Sequence, residues 1–152
     1  MALGKYIETE IGRLYLAEEN GCIVRLAVGQ APEQDELGES SLLKQAEAEV
    51  TEYLAGKRRT FTVPLRAEGT PFQKAVWDAL KRIPFGETRC YGEIAREVGS
   101  PKGARAVGMA CNRNPILLMI PCHRVVGSTG KLVGFACGLP MKERLLQLES
   151  FN

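Results

Sequence analysis

A cysteine and a histidine stand side by side at positions 122 and 123, inside the string Pro-Cys-His-Arg-Val-Val at residues 121–126. His123 is the only histidine of the 152-residue chain, and an apolar run over residues 116–120 precedes the string. The thiolate is the nucleophilic form of cysteine, and an imidazole that accepts the thiol proton generates it near neutral pH. Cys122 is therefore a candidate nucleophile. A structural interpretation stays open, because buried cysteines are common and neighbouring side chains often point apart.

Strand patterns fill most of the first part of the chain. They cover residues 5–9, 13–17 and 22–28. Asn20-Gly21 is a strong hairpin signal, because both residues tolerate positive φ. A polar loop is expected over residues 29–39, and residues 59–63 alternate as a further strand that Pro64 ends.

Helical periodicity predicts four helices. The first two have apolar stripes from Leu43 to Leu54 and from Phe72 to Ile83, and the other two are expected from Tyr91 to Val98 and from about Lys102 to Arg113. Ser41 is the expected N-cap of the first helix and Gly56 its stop. Thr70 and Gln73 form a capping box at the start of the second. The two short helices that follow are joined by a turn with Gly99, an arrangement typical of a helix-turn-helix.

The last of these helices carries little side-chain bulk. Its small residues are Gly103, Ala104, Ala106, Gly108 and Ala110. Such a surface permits close packing against a neighbouring helix. It equally suits entry into a narrow DNA groove, where the projecting Arg105 could reach the base stack. The residues alone leave both interpretations open.

These elements predict an α+β protein of two parts. Residues 1–65 are expected to form a small N-terminal α/β lobe with an antiparallel sheet and a helix. Residues 66–152 are expected to form a mostly helical domain, similar to a winged helix or helix-turn-helix.

Composition narrows the class of protein. Twenty basic and eighteen acidic residues give a formal charge of +2. This charge is compatible with a local patch that binds nucleic acid but does not by itself indicate one. The densest basic run, residues 57–59, follows a predicted helix end and is expected to be a solvated cap. The charged N-terminus and the absence of a membrane-length apolar run predict a cytoplasmic protein, or a nuclear one in a eukaryote. Five cysteines without CxxC pairing indicate neither a zinc ribbon nor a disulfide framework.

The string at 121–126 gains meaning from its surroundings: Gly-Ala-Arg-Ala-Val-Gly at 103–108, Asn114-Pro115, and Glu149 downstream. Together they resemble the O6-alkylguanine-DNA alkyltransferase family, also called methylated-DNA–protein-cysteine methyltransferases. The resemblance is clear from about Thr70 to Glu149 and weak over residues 1–65. It implies DNA repair by direct reversal: irreversible, stoichiometric transfer of the alkyl group of O6-alkylguanine to Cys122, with no cofactor and no metal. Activity on O4-alkylthymine stays open.

The resemblance also implies a catalytic set: Cys122, His123, Glu149, Tyr91 and Asn114. His123 would take the thiol proton through a water, and Glu149 would orient His123. Tyr91 would donate a hydrogen bond or proton to the departing guanine. Asn114 would tie the recognition helix to the loop of the nucleophile. Without the family, Tyr91 is interpreted as a core aromatic, Glu149 as a solvated helix-end acid and Asn114 as a turn residue.

The implied partner is double-stranded DNA carrying O6-alkylguanine, bound by a monomer through the minor groove with the nucleotide flipped and Arg105 in its place. The DNA-binding candidates are Arg105, Lys102, Ala104, Ala106, Arg113 and Ser128. The pocket candidates are Val125, Phe135, Ala136, Cys137 and Met109, within or near a segment at 127–138 that would close the pocket. Phe135 stands where many members have tyrosine, and Cys137 where many have glycine. These departures leave the substrate range and the rate open.

Two other functions fit parts of the sequence. A helix-turn-helix sensor of alkylated or ordinary DNA would not need Cys122, and the intact Cys-His pair argues against it. A cysteine hydrolase would turn over and would need an oxyanion hole, which the helix-turn-helix does not call for.

Overall fold

The computed structural model describes residues 2–128, 130 and 138–150. The chain divides into two compact units. The first unit contains the chain up to Glu68 together with Pro115–Leu117. The second contains Gly69–Asn114 and the described residues from Leu118 onward. None of the helices in the described ranges is long and apolar enough to cross a membrane.

The first unit is built on a four-stranded sheet. Its strands are β1 (Leu3–Thr9), β2 (Gly12–Glu19), β3 (Cys22–Ala27) and β4 (Glu36–Leu37), in the order β3-β2-β1-β4. β1, β2 and β3 pair antiparallel. The predicted hairpin is confirmed, with φ of 52° at Asn20 and 79° at Gly21. β4 pairs parallel with β1 inside a segment expected to be a loop, because two residues are too few to show alternation.

Helix α1 (Ser41–Leu54) packs against the first three strands. Its buried side chains include Leu43, Val50 and Tyr53, at the predicted spacing. The expected N-cap was wrong by one residue: the Ser40 hydroxyl accepts the hydrogen bond from the Leu43 amide, at 3.1 Å. Ser41 is already helical. Gly56, at φ 77°, follows the helix end as expected.

The strand expected at residues 59–63 does not form. The buried carboxylate of Glu49 on α1 accepts a hydrogen bond from the Thr62 amide, at 2.8 Å. Pairing with β3 begins only afterwards, where the Ile23 amide donates to the Pro64 carbonyl at 2.8 Å. A side chain thirteen residues upstream therefore overrides the local alternation.

The second unit is mostly helical. It contains α2 (Pro71–Lys81), α3 (Tyr91–Glu97), α4 (Ala104–Asn112) and α5 (Leu139–Ser150), with a 3₁₀ turn at Cys122–Arg124. The capping box of α2 is confirmed: the Gln73 amide donates to the Thr70 hydroxyl, and the Thr70 amide to the Gln73 side chain. The buried Trp77 indole donates to the Ala110 carbonyl at 2.9 Å and so joins α2 to α4.

Helices α3 and α4 form the expected helix-turn-helix. Together with the sheet of the first unit, the helices confirm the α+β class. α4 is shorter than expected, since Gly103 occupies its N-cap and Arg113 its C-cap. A pair of two-residue strands was not predicted: β5 (Arg89–Cys90) lies parallel to β6 (Val125–Val126). β5 leads directly into α3 and β6 directly follows the 3₁₀ turn. The pair therefore fixes the start of α3 beside the Cys-His pair.

Candidate active site

The Cys-His pair lies at the end of a buried turn. The apolar run at 116–120 is buried throughout, and Leu118 has the left-handed φ of 68° that turns the chain. The 3₁₀ turn then begins at Cys122, whose amide donates to the Ile120 carbonyl at 2.8 Å. Both side chains of the pair are enclosed, since Cys122 is 3% and His123 1% exposed.

Asn114 joins α4 to this turn. Its side-chain amide donates to the Ile120 carbonyl at 2.7 Å and to the Cys122 sulfur at 3.3 Å. Its main-chain amide donates to the Cys111 carbonyl at 3.2 Å. A hydrogen-bond donor at the sulfur favours the thiolate over the thiol. Asn114 thus contacts Cys122 directly, whereas the sequence linked these two residues only through the family resemblance.

Glu149, near the end of α5, holds His123 and Arg124 together. The His123 Nε2 lies 2.7 Å from the Glu149 Oε2. Arg124 binds the same carboxylate through two nitrogens, at 2.8 and 2.9 Å, and donates to the Ile83 carbonyl at 2.7 Å. All three side chains are buried. Arg124 was not among the predicted site residues, although it lies inside the motif that drew attention to its neighbours.

The environment keeps His123 neutral. Burial lowers the pKa of His123, and the hydrogen bond to Glu149 opposes this without overcoming it. The Arg124 guanidinium already neutralises the charge of Glu149, so the carboxylate stabilises a protonated His123 ring only weakly. A neutral imidazole that donates from Nε2 carries its lone pair on Nδ1. His123 is therefore in the state that accepts a proton.

A second buried thiol stands near the first. Cys111 on α4 is 5% exposed and interacts electrostatically with Cys122. Burial, aided by Cys122, raises the pKa of the Cys111 thiol to about 12. Cys111 therefore stays protonated at neutral pH and is a poor nucleophile.

Tyr91, the first residue of α3, lies close to a buried lysine that the sequence analysis missed. Burial, with smaller contributions from Cys111 and Cys122, raises the pKa of Tyr91 to about 12. The Lys142 Nζ donates to the Tyr91 hydroxyl in a long hydrogen bond of 3.5 Å. Lys142 has no exposed surface. The spacing of Lys142 with Leu145 and Glu149, three and seven residues later, could have indicated that Lys142 is buried. All three side chains lie on the buried face of α5.

The outer face of α4 carries a basic and apolar stripe. Arg105, Met109 and Arg113 are exposed at four-residue intervals, flanked by the exposed Ala104 and Ala106. On the inner face, a Cβ on Gly108 would lie 3.8 Å from the Tyr91 ring, which is an ordinary van der Waals contact. Close packing therefore does not require a glycine at this position, and entry of the helix into a DNA groove stays a prediction.

The remaining predicted residues lie in different environments. Val125 is fully buried in β6, and Lys102 and Ser128 are exposed. Met109 is 60% exposed and lines an open depression with Asn112 and Arg113, so its place in a pocket stays a prediction. Phe135, Ala136 and Cys137 lie outside the described residues.

Comparison with known families covers both units. The model of the DNA-binding domain of 6-O-methylguanine DNA methyltransferase matches residues 71–151, and that of its ribonuclease-like domain matches residues 3–67. The chain belongs to the 6-O-methylguanine DNA methyltransferase family. The family predicted from the motifs is thereby confirmed, and the match extends into the region where the resemblance was weak.

Individual members of the methyltransferase family are similar to different shares of this chain. The chain is 58% identical to the methylated-DNA–protein-cysteine methyltransferase of Methanosarcina acetivorans over 106 residues, 70% of this chain and 68% of the relative. It is 47% identical to the constitutive enzyme of Bacillus subtilis over 95% of this chain and 93% of the relative. The crystal structure of Mycobacterium tuberculosis OGT in complex with DNA matches with a TM-score of 0.92 and 40% identity, covering 98% of this chain and 93% of that one.

Proposed function

We propose that this protein repairs DNA by direct reversal, transferring the alkyl group of O6-alkylguanine to Cys122 in one irreversible step. The observation that carries the proposal is the surroundings of the Cys122 sulfur. Asn114 donates to it, and the adjacent His123 is neutral and anchored by Glu149. The family supplies the reaction, since the named relatives are methylated-DNA–protein-cysteine methyltransferases.

The first half of the reaction prepares the nucleophile. His123 takes the thiol proton on Nδ1 through a water, while Nε2 stays bonded to Glu149. The positive charge that forms on the ring is stabilised by the Glu149 carboxylate. The amide of Asn114 holds the thiolate as the proton leaves. Cys111 does not compete, because its pKa of about 12 keeps it a thiol.

The second half releases the base. The sulfur forms a bond to the alkyl carbon, the bond from that carbon to O6 breaks, and the electron pair goes to the guanine. Tyr91 donates a proton to the departing base. The thioether that remains does not hydrolyse under physiological conditions. Each molecule therefore acts once and needs no diffusible cofactor.

DNA binds through the helix-turn-helix. The alkylated nucleotide is flipped out of the duplex, since the alkyl carbon cannot be reached inside the stack. The thin, exposed face of α4 enters the minor groove, and Arg105 takes the place of the flipped nucleotide. Lys102, Arg113 and Ser128 bind phosphates. The similarity to the M. tuberculosis structure in complex with DNA supports this role for the same fold.

Two broader assignments complete the proposal. The protein acts as a monomer, with an N-terminal lobe of residues 1–65 and an alkyl-acceptor domain of residues 66–152. It works in the cytoplasm, since the relatives named above come from an archaeon and bacteria, whose DNA lies there.

Intact-protein mass after incubation with a duplex containing one O6-methylguanine tests this function. We expect the wild type to gain the mass of one methylene group, once per protein, on the peptide that contains Cys122. Cys122→Ala gains nothing, whereas Cys22→Ala, which removes a half-buried thiol on β3 of the first unit, reacts like the wild type. Tight lesion binding without a mass gain would make the protein a sensor. Release of more than one repaired guanine per protein would make it a true catalyst.

A further inference from the structure

The proposed DNA-binding role of α4 leaves one prominent side chain of that helix unexplained. Met109 is 60% exposed, more than any other large apolar side chain of the second unit in the described ranges. A single exposed apolar side chain needs no explanation by itself. Met109, however, stands between two exposed arginines, Arg105 and Arg113, on the outer face of the helix. Its position therefore ties it to the surface proposed to bind DNA.

Met109 points away from the acceptor cysteine. Successive residues of an α-helix are rotated by about 100°, so Met109 stands about 40° around the axis of α4 from Arg105. It stands about 160° from Cys111, which is buried and interacts electrostatically with Cys122. Met109 thus shares the side of Arg105 and lies opposite the side that faces the acceptor. This geometry favours a contact with DNA over a place in the wall of the alkyl pocket.

The spacing along the helix indicates which part of the DNA Met109 would meet. Four residues separate Arg105 from Met109, which is an advance of about 6 Å along α4. Stacked base pairs are about 3.4 Å apart. With α4 along the minor groove and Arg105 in the gap left by the flipped nucleotide, Met109 lies about two base pairs from that gap.

The chemistry of the surface around Met109 suits a base step of the minor groove. Methionine is one of the apolar side chains that minor-groove proteins insert as wedges between base pairs. Its neighbours Ala104 and Ala106 are too small to hold the helix away from the groove. Residues 104–112 include no acidic side chain that would repel the duplex.

We propose that Met109 is a specificity-determining residue: its side chain wedges into the base step about two base pairs from the flipped nucleotide and favours steps that open easily. This inference rests on the proposed function. Pyrimidine–purine steps such as TA are flexible, whereas A-tracts are stiff. A lesion with a TA step at that distance is therefore bound more tightly than one beside an A-tract. Because a helix has a direction, the preference exists on one side of the lesion only.

Single-turnover transfer over a range of duplex concentrations tests the proposal. A TA step is moved base pair by base pair along both sides of one O6-methylguanine, with an A-tract elsewhere. We expect the half-saturating concentration of the wild type to fall roughly 3- to 10-fold when the step reaches the position of Met109. Met109→Ala raises this concentration roughly 5- to 20-fold and removes the preference, because the apolar contact is lost. The maximal rate constant changes less than about twofold, and the salt slope is unchanged because no charge is removed.

Matched variants separate the apolar contact from other causes. Met109→Leu keeps an apolar side chain and retains most of the affinity and the step preference. Met109→Gln has a similar length but a polar end, and it behaves like Met109→Ala. Val28→Ala trims a 56% exposed apolar side chain of the first unit and reacts like the wild type. Since Met109 is exposed, its variants keep the thermal unfolding midpoint of the wild type.

The free base O6-benzylguanine decides between groove and pocket, because its reaction with Cys122 involves no duplex. We expect Met109→Ala to react with it like the wild type. An equal loss with the duplex and the free base would place Met109 in the pocket and overturn the inference. A step preference that persists in Met109→Ala would assign the preference to another residue. If the wild type transfers nothing, the proposed function fails. If it transfers without any step preference and Met109→Ala matches it, only the role of Met109 fails.

Discussion

At the scale of single residues, the site depends on one carboxylate shared by a permanent cation and a neutral, titratable ring. Glu149 binds the permanent charge of Arg124 and the titratable ring of His123. Because all three are buried, the balance among them sets the protonation state of the ring. His123 and Glu149 were predictable from the motif and the family. Arg124 was not, since an arginine within a motif gives no sign that it folds inward onto a distant acid.

Arg124→Gln tests this balance. Without the guanidinium, Glu149 attracts the His123 proton more strongly, so the pKa of His123 rises from its lowered value. In the wild type the ring stays neutral to below about pH 6.5, the ordinary histidine value, and transfer is lost only in more acidic solution. In the variant the acid limb of the pH–rate profile moves to higher pH. The free energy of unfolding, measured in urea, falls by about 3–5 kcal/mol, because a buried carboxylate loses a partner.

The control for Arg124→Gln is Arg82→Gln, which removes an arginine from an exposed ion pair with Glu97 of 2.9 Å. Its expected cost is at most about 1 kcal/mol, with an unchanged pH profile. An Arg124→Gln profile that coincides with the wild type would show that Glu149 does not set the state of His123.

At the scale of elements, the sequence correctly predicted those features whose hydrogen-bond partners lie close together in the chain. The Asn20-Gly21 hairpin and the Thr70 capping box formed as predicted, because each places its bonding partners within a few residues. β4, β5 and β6 were missed, because two residues cannot show a period. Lys142 was missed because a lysine on an amphipathic helix is expected to reach solvent. These failures all involve partners distant in sequence.

Helix α4 makes a prediction that separates base flipping from phosphate contact. Arg105→Ala should slow transfer from duplex DNA roughly tenfold or more. Unstacking the flipped nucleotide costs a few kcal/mol of free energy, and the variant no longer fills the gap in the base stack. It should leave the reaction with the free base O6-benzylguanine unchanged, because no stack has to be opened. Arg113→Ala should weaken binding to damaged and undamaged duplexes alike and reduce the salt slope by about one. Single-turnover rates and fluorescence anisotropy at several salt concentrations measure these effects.

The exposed Arg82→Gln variant again serves as the control and should change neither quantity. Equal slowing of the duplex and free-base reactions by Arg105→Ala would show that Arg105 acts on the pocket rather than on the DNA.

At the scale of the whole molecule, a charge of +2 spread over 38 ionised side chains cannot by itself attract DNA strongly. We predict that the affinity comes from Lys102, Arg105 and Arg113, which are exposed in or beside α4. The chain also leaves and re-enters the second unit before it reaches the acceptor. Asn114 and Leu118 belong to the second unit, while Pro115–Leu117 between them belongs to the first and is bonded at both ends to Leu26 of β3.

Reaction should make the molecule less stable, because the acceptor Cys122 is only 3% exposed. A methyl group on Cys122 adds volume inside a packed turn, and the thioether sulfur is a weaker acceptor for Asn114 than the thiolate. We expect a loss of about 1–3 kcal/mol on methylation, and a larger loss with a benzyl group. For a chain of this length each kcal/mol lowers the midpoint of thermal unfolding by about 2–4 °C. The measurement is thermal unfolding before and after reaction with each adduct, with Cys122→Ala treated identically as the control. An unchanged midpoint in the methylated protein would mean that the pocket already holds room for the product, and that the turn is built around the alkylated state rather than the free thiol.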